Sequence, residues 1–401
     1  MRRKFITLFI ATFAVMLGMG IISPLIPLYA EGMGATGIWL GVIFSVFSLS
    51  NLIFTPMMGK ISDKRGRKKF ICMGLFLYSV LSFGYVFAES VYSLTWVRFL
   101  HGAASAMVLP LVMAYVGDIA PRGKEGKFMG YFNVSLYLGM GFGPFIGGVL
   151  TDAFGMASVF YAMTALSAVA LAVTYLFLTE ETAAMIKKGE RDNKEHASFR
   201  GLFRNNIVRG LFSFRFITAL GRGSIMVFLP VYAYSLGMSP TQIGTILTAN
   251  MILVSLLQIP FGRLADKRSK IKLMMAGSAI TGAGMLLVPS SAGFASLLAV
   301  SLFMGAGEAI GMPAATAVNA VLGRRYGMGT TMSVFVAAMS LGMVISPLAG
   351  GAIMDYISMA SVFYFGGFAI FAGMVVLYAF TRGYDEHGEK KLKRGGLGTS
   401  R

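Results

Sequence analysis

Long apolar runs alternate with short polar breaks along almost the whole chain. A run of roughly 20 apolar residues is enough to cross a bilayer as a helix, and the sequence offers a dozen such runs. They fall near 5–30, 37–59, 70–88, 92–118, 127–150 and 156–179, then 208–235, 242–263, 271–289, 293–321, 329–352 and 360–381. A backbone amide left unpaired in lipid costs several kcal/mol, so these runs must satisfy their own hydrogen bonds as helices. The pattern predicts an all-α polytopic membrane protein with twelve transmembrane helices.

The polar breaks also repeat. The basic turn Gly59-Lys60-Ile61-Ser62-Asp63-Lys64-Arg65-Gly66-Arg67-Lys68-Lys69 has a relative in Gly262-Arg263-Leu264-Ala265-Asp266-Lys267-Arg268-Ser269-Lys270, its Gly and Asp displaced by 203 residues. The same offset carries Gly20, Pro27 and Tyr29 onto Gly223, Pro230 and Tyr232, and Gly102 and Pro110 onto Gly305 and Pro313. It carries Gly139, Pro144, Gly147, Gly148 and Asp152 onto Gly342, Pro347, Gly350, Gly351 and Asp355. A constant offset of this reach means two structural halves in parallel, a repeat that builds many transporters. The expected organisation is two pseudo-symmetric six-helix bundles, 1–179 and 208–381. A charged cytoplasmic linker, 180–207, joins them, and a basic, Gly-rich cytoplasmic tail, 382–401, follows.

Charge adds a sidedness. All but three of the 35 Lys and Arg lie in alternate breaks and tails, and the exceptions, Arg98, Arg215 and Arg222, sit inside apolar runs. The other breaks hold no Lys or Arg, only Glu31, Glu89, Asp152 and Asp355 at or near them. By the positive-inside rule both termini should be cytoplasmic, in a multi-pass protein of the plasma (inner) membrane. The net charge of +18 is thus explained by topology and by attraction to the lipid bilayer's anionic headgroups. A nucleic-acid partner is not expected, since no folded basic domain is present. Only 13% of residues are charged, against roughly 25% in soluble domains. A single cysteine, Cys72, excludes an internal disulfide. Arg2-Arg3-Lys4 before an apolar run is like the start of a signal peptide. The run is long, however, and has a repeat partner at 208–233, so it is read as a retained first helix.

Two homologous sets of six spans with this basic turn between spans 2 and 3 resemble the major facilitator superfamily, over about 1–381. The family's loop pattern, G-x-L-x-D-x-x-G-R-[RK], is matched by Gly59, Asp63, Gly66, Arg67 and Lys68, with Ile61 in place of Leu. Gly59 is expected to let a neighbouring helix approach closely. Asp63 is expected to meet the start of span 11 near Gly329, where a carboxylate gains about 0.3–1 kcal/mol from the helix N-terminus. Arg67 would pair with Asp63 and Asp118. The resemblance implies that this cluster latches the halves in the outward-facing state. The alternative is a solvated loop that only sets topology. In the second copy Ser269-Lys270 replace Gly-Arg, which predicts a weaker latch.

Span 4 carries Arg98-x-x-His101-Gly102, similar to the family's R-x-x-Q-G with His for Gln. Arg98, His101 and Ser105 share one helix face. An Arg in the membrane costs ~2.5–3.5 kcal/mol on insertion scales and is expected to meet a polar cavity or a partner. The resemblance implies proton coupling for Arg98. The alternatives are an Arg98 that snorkels to the outer surface and a His101 that is a structural hydrogen-bonded histidine. Span 5 carries Gly139-x-x-x-Gly143-Pro144-x-x-Gly147-Gly148, which is similar to the family's antiporter signature. Pro144 should kink the helix, and the glycines should present a smooth face to span 8 in the other half. In the second half, Glu308 aligns through the offset with Ser105. A lone carboxylate there would be costly, so Arg215 or Arg222 is its expected partner. Glu308 joins Arg98 and His101 as a proton-coupling candidate. Arg215, Arg222, Tyr29 and Tyr137 are assigned to a substrate cavity.

Within the family the chain resembles the twelve-span drug:proton antiporter branch, and the resemblance implies a secondary active transporter that exports a small amphipathic compound or drug in exchange for protons by alternating access. The alternative is a proton-coupled transporter of an anionic or zwitterionic metabolite or lipid-like substrate, because the intramembrane charges lean positive. No P-loop, H-E-x-x-H or G-x-S-x-G occurs, so neither ATP use nor an enzyme is expected, and no cofactor, metal or catalytic residue is assigned. The expected partners are the substrate, protons and the bilayer, with the chain a monomer.

Overall fold

The computed structural model describes residues 2–119, 125–179, 203–326 and 328–382. Most of the linker, the tail after 382, and the side chains of Asp63 and Gly329's first turn lie outside that description. The first half consists of α1 (Arg2–Ile22), α2 (Ile26–Gly32), α3 (Gly37–Arg65), α4 (Arg67–Gly84), α5 (Val91–Ile119), α6 (Glu125–Phe154) and α7 (Ala157–Phe177). The second consists of α8 (Asn206–Ser235), α9 (Pro240–Lys267), α10 (Lys270–Leu287), α11 (Phe294–Tyr326), α12 (Met328–Tyr356) and α13 (Met359–Thr381). Among the described residues, twelve helical units are long and apolar enough to cross a membrane, α1 and α2 together forming the first. No strand occurs among the described residues.

One departure from the expected spans is the break in the first. Residues 23–25 leave the helix between α1 and α2, and Pro24 falls inside that break, with no amide to donate. Its offset counterpart is Val227, and there α8 runs on without interruption. Both copies keep the later proline, Pro27 and Pro230, so Pro24 makes the difference.

Other features recur in both halves. The spans α4 and α10 each end in a short 3₁₀ turn, Tyr85–Phe87 and Val288–Ser290. The Tyr29 hydroxyl donates to the carbonyls of Tyr85 (3.0 Å) and Ala88 (3.1 Å), and its ring packs edge-on against Phe160. Tyr232 donates to Pro289 (3.1 Å) and Ser291 (3.2 Å) and packs edge-on against Phe363. Tyr29 therefore ties the first span to the end of α4, and the substrate-cavity role expected for it is not what its hydroxyl does. Its preservation as Tyr232 already hinted at a structural duty.

The basic turn differs between copies for a backbone reason. Gly66 has φ +91°, a region essentially closed to residues with a Cβ. Ser269, at the same place in the second copy, has φ −61° and instead caps α10 by accepting from the Lys272 amide.

Within the first half α1 packs on α6 and α7, and α3 on α5. Within the second, α8 packs on α12 and α13, and α11 on α9 and α10. The halves meet chiefly along two pairs, α6 with α9 and α3 with α12, and α8 also touches α2 and α3.

Candidate functional site

Near the middle of the second half a charged cluster forms between α8 and α11. Arg222 Nη1 and a Glu308 carboxylate oxygen form an ion pair, and both side chains remain partly exposed, 49% and 28%. Glu308 thus finds one of its two expected partners. Arg215, two turns away on α8, takes the other kind of environment. Its Nη1 and Nη2 donate to the thioether sulfurs of Met312 (3.1 Å) and Met339 (2.7 Å), and its guanidinium lies 4.9 Å from the Phe335 ring centre. Its Nε is buried without a partner. Thioethers are weak acceptors, so this cation is held by packing and polarisability with no carboxylate bonded to it. The exposed Tyr137 of α6, in the opposite half, is near enough to interact electrostatically with Arg215. Arg215, Arg222, Glu308 and Tyr137 are therefore brought together across the space between the halves.

Arg98 and His101 are not part of that cluster. Arg98 is 4% exposed and lies against two rings of α3, 4.9 Å from the centre of Phe44 and 4.4 Å from that of Phe47. His101 is 1% exposed, its Nδ1 2.8 Å from the Tyr85 hydroxyl and its ring edge-on to Tyr78 at 4.0 Å. Nε of Arg98 and Nε2 of His101 are buried and unpartnered. Arg98 neither snorkels nor opens onto a wet cavity. Its attraction to two aromatic faces, worth about 2 kcal/mol or more when desolvated, offsets much of its cost in the membrane.

At the basic face, Arg67 Nε donates to Asp118 Oδ2 at 2.6 Å, as expected, and Lys68 Nζ donates to the Tyr175 carbonyl at 2.9 Å. The Asp63 side chain lies outside the described residues. Gly59 corrects the sequence reading, because a Cβ built there meets nothing within 4 Å. The close helix approach assigned to it is not made in this conformation.

The glycine motif of α6 needs a larger correction. Gly139, Gly143 and Gly147 follow one another at four-residue spacing and so occupy one face. That face turns to α1 in the same half. A Cβ at Gly139 would come 2.8 Å from the Phe13 carbonyl oxygen, and Cβ atoms at Gly143 and Gly147 would run into the backbone at Gly20 and Ile21. Within the motif, it is the neighbouring row, Pro144 and Gly148, that faces α9 across the interface. Gly148 abuts the Pro240 carbonyl, and Gly244 abuts the Pro144 carbonyl. The smooth face expected against span 8 is thus divided between two neighbours.

The second copy of this interhalf contact joins α12 to α3, where Gly351 abuts Gly37 and Gly41 abuts Pro347. Hydrogen bonds cross here as well. Asp355 Oδ1 and Oδ2 accept from the amides of Gly37 (2.6 Å) and Ile38 (2.8 Å), and Asp152 Oδ2 accepts from the Thr241 amide (2.9 Å). Deeper in, the Ser45 hydroxyl donates to the Val344 carbonyl at 2.6 Å, and Thr248 Oγ1 accepts from the Phe145 amide at 3.1 Å. These contacts seal the face opposite the basic turns. Asp152 and Asp355 were not singled out as site residues, although two acids kept at the repeat offset on a face without Lys or Arg were a usable signal.

Comparison with known proteins agrees with this architecture. The family model for the Major Facilitator Superfamily matches residues 8–219 and 211–399. An uncharacterised MFS-type transporter of Methanocaldococcus jannaschii is 31% identical over 385 residues, covering 95% of this chain and 98% of the relative. Multidrug resistance protein 2 of Bacillus subtilis is 29% identical, covering 92% and 93%. A solved bacterial homolog of the human lysosomal transporter Spinster, inward-facing and unoccupied, superposes with a TM-score of 0.75 at 14% identity, over 94% of each chain, and so shares the fold.

Proposed function

Since the chain belongs to the major facilitator superfamily and is a membrane transporter, not an enzyme, we propose that it is a proton-coupled exporter of a small amphipathic compound, working by alternating access. The observation that carries this reading is the partly exposed Arg222–Glu308 pair at mid-span. Glu308 is the one carboxylate well inside an apolar span. A carboxylate inside a span must be held beside a partner, and Arg222 is that partner. Exposing the pair to one side and then the other is what a proton carrier in alternating access needs. The relative named for multidrug resistance supports an exported, partly apolar substrate. The basic face then lies in the cytoplasm, and the contacts of Asp152 and Asp355 lie on the outer side of the membrane. Arg98 and His101, enclosed by aromatic rings, support the first half's framework and do not carry the proton. Arg67, Asp118 and Asp63 act as the latch of the outward-facing state.

A second reading, an anionic substrate, is favoured by Arg215, which has weak sulfur acceptors and no bonded carboxylate. The sign of proton movement separates the two. A neutral or cationic compound that displaces the Glu308 proton releases it on binding. An anion drawn to Arg215 and Arg222 instead favours proton uptake. The test screens matched cationic, neutral and anionic aromatic compounds for binding-linked proton movement in detergent and for pH-gradient-driven transport in proteoliposomes. Proton release is expected from wild type and His101→Asn and lost in Glu308→Gln. Release that survives in Glu308→Gln and disappears in His101→Asn transfers the role to His101.

A further inference from the structure

A helix that starts at a membrane surface leaves its first amides without intrahelical acceptors, and a side chain at the N-cap usually serves them. The helix α3 lacks that service, because Thr36 at its N-cap makes no side-chain bond to the first turn. The missing acceptor comes from the other half. Asp355, at the end of α12, takes the Gly37 amide on one carboxylate oxygen and the Ile38 amide on the other. The pseudo-symmetric place is built differently. There α9 has its own capping box, with Ser239 accepting from Gln242 and Gln242 accepting from Ser239. Asp152, the offset partner of Asp355, adds one bond, from the Thr241 amide.

Glycine allows both contacts. A Cβ at Gly37 would stand 2.8 Å from Asp355 Oδ1 and 2.6 Å from the Gly351 carbonyl. Gly148 likewise admits the start of α9 beside Asp152. When the halves separate at this face, α9 keeps a capped first turn and α3 does not.

We propose that Asp355 and Asp152 are the positioning residues of the acidic-face gate, each capping in trans a helix of the opposite half, and that Asp355 is the dominant one. Opening the gate leaves the first turn of α3 to water, so the closed state is favoured by two charge-assisted bonds that exist only while the halves touch. The charge on each carboxylate strengthens these bonds beyond those of a neutral acceptor. Loss of an N-cap shifts an equilibrium by about two- to thirtyfold. Both acids lie at an exposed rim, which places each effect toward the lower part of that range. This inference rests on the alternating-access reading above, but its test needs no substrate.

Spin labels at Glu89 and Ala292, exposed positions in opposite halves related by the offset, report the width of this face. They are introduced as cysteines into the full-length Cys72→Ser chain in lipid nanodiscs, and distances are read by pulsed electron resonance. In Asp355→Ala the wide-face population should rise about fivefold, in Asp152→Ala about twofold, and in the double variant by roughly the product. Asp355→Asn, which keeps an acceptor, should fall between wild type and alanine. A merely structural role would lower thermal stability and leave the distance distribution unchanged. Unchanged distances in Asp355→Ala and Asp355→Asn overturn the proposal, as does a larger effect at Asp152 than at Asp355. If the distances shift as expected in a chain that transports nothing, the gate stands and the exporter reading fails.

Discussion

Adding one methyl group at three positions of α6 should produce three different outcomes. At Gly143 a Cβ would be driven into the Gly20 backbone of α1, and neither helix has a flexible side chain to yield. Overpacking of this kind costs about 1–3 kcal/mol, and replacing Gly by Ala inside a helix returns up to ~1 kcal/mol. Gly143→Ala should therefore destabilise the first half by about 1–2 kcal/mol. At Gly141 the nearest atom is the Met251 Cβ at 3.9 Å, an ordinary contact, so Gly141→Ala should be neutral or slightly stabilising. Gly148 abuts the Pro240 carbonyl of the other half. Separating the halves relieves that clash, so Gly148→Ala should leave each bundle's stability nearly unchanged and favour opening of the acidic face. Thermal unfolding in detergent, followed by tyrosine and tryptophan fluorescence, ranks the three, and labels at Glu89 and Ala292 read the opening. The reasoning fails if Gly141→Ala loses as much stability as Gly143→Ala. It fails equally if Gly148→Ala melts early with the acidic face still closed.

Other perturbations test separate parts of the structure. Asp63→Asn should abolish transport while leaving expression intact and shifting the population toward the conformation open at the basic face, as measured by labels at the basic ends of the two halves. Tyr29→Phe and Tyr232→Phe each remove one hydroxyl shared by two carbonyls. Each should cost about 1 kcal/mol, and similar melting shifts for the two variants would reflect their matched geometry. Exchanging Ser269 for Gly removes the hydroxyl that caps α10 and should cost roughly a few tenths of a kcal/mol. Exchanging Gly66 for Ser should instead force the first basic turn out of its present shape, seen as reduced yield or loss of the latch.

The offset of 203 made the architecture legible, because Gly, Pro and Asp are kept where backbone geometry needs them. The Glu308–Arg222 pair was legible from cost alone, since a carboxylate in mid-span must find a cation. The break in the first span was missed, although Pro24 and its counterpart Val227 stood in plain sequence. The glycine motif was read as one face when its phase already divided it. Residues 139, 143 and 147 are in register with one another, while 144 and 148 lie about 100° around the helix. Arg98 could not be placed from spacing alone, because Phe44 and Phe47 come from another helix and only the packing of α3 on α5 brings them to it. The trans caps were hidden for a similar reason. A carboxylate at a helix end names no acceptor site until the opposite half is in position.

The two halves are close copies in backbone and unlike in interior charge. Arg215, Arg222 and Glu308 stand where the first half has Thr12, Met19 and Ser105, and Arg98 and His101 stand where the second has Ser301 and Met304. Even the local partnerships differ, since the Tyr78 hydroxyl donates to the Met19 sulfur at 3.0 Å where the second half holds an ion pair. The sealing contacts, by contrast, draw on both copies. A duplicated chain of this kind can vary the interior charge of one half while both halves go on supplying the seams between them. New specificity can thus arise without renegotiating the geometry that moves it.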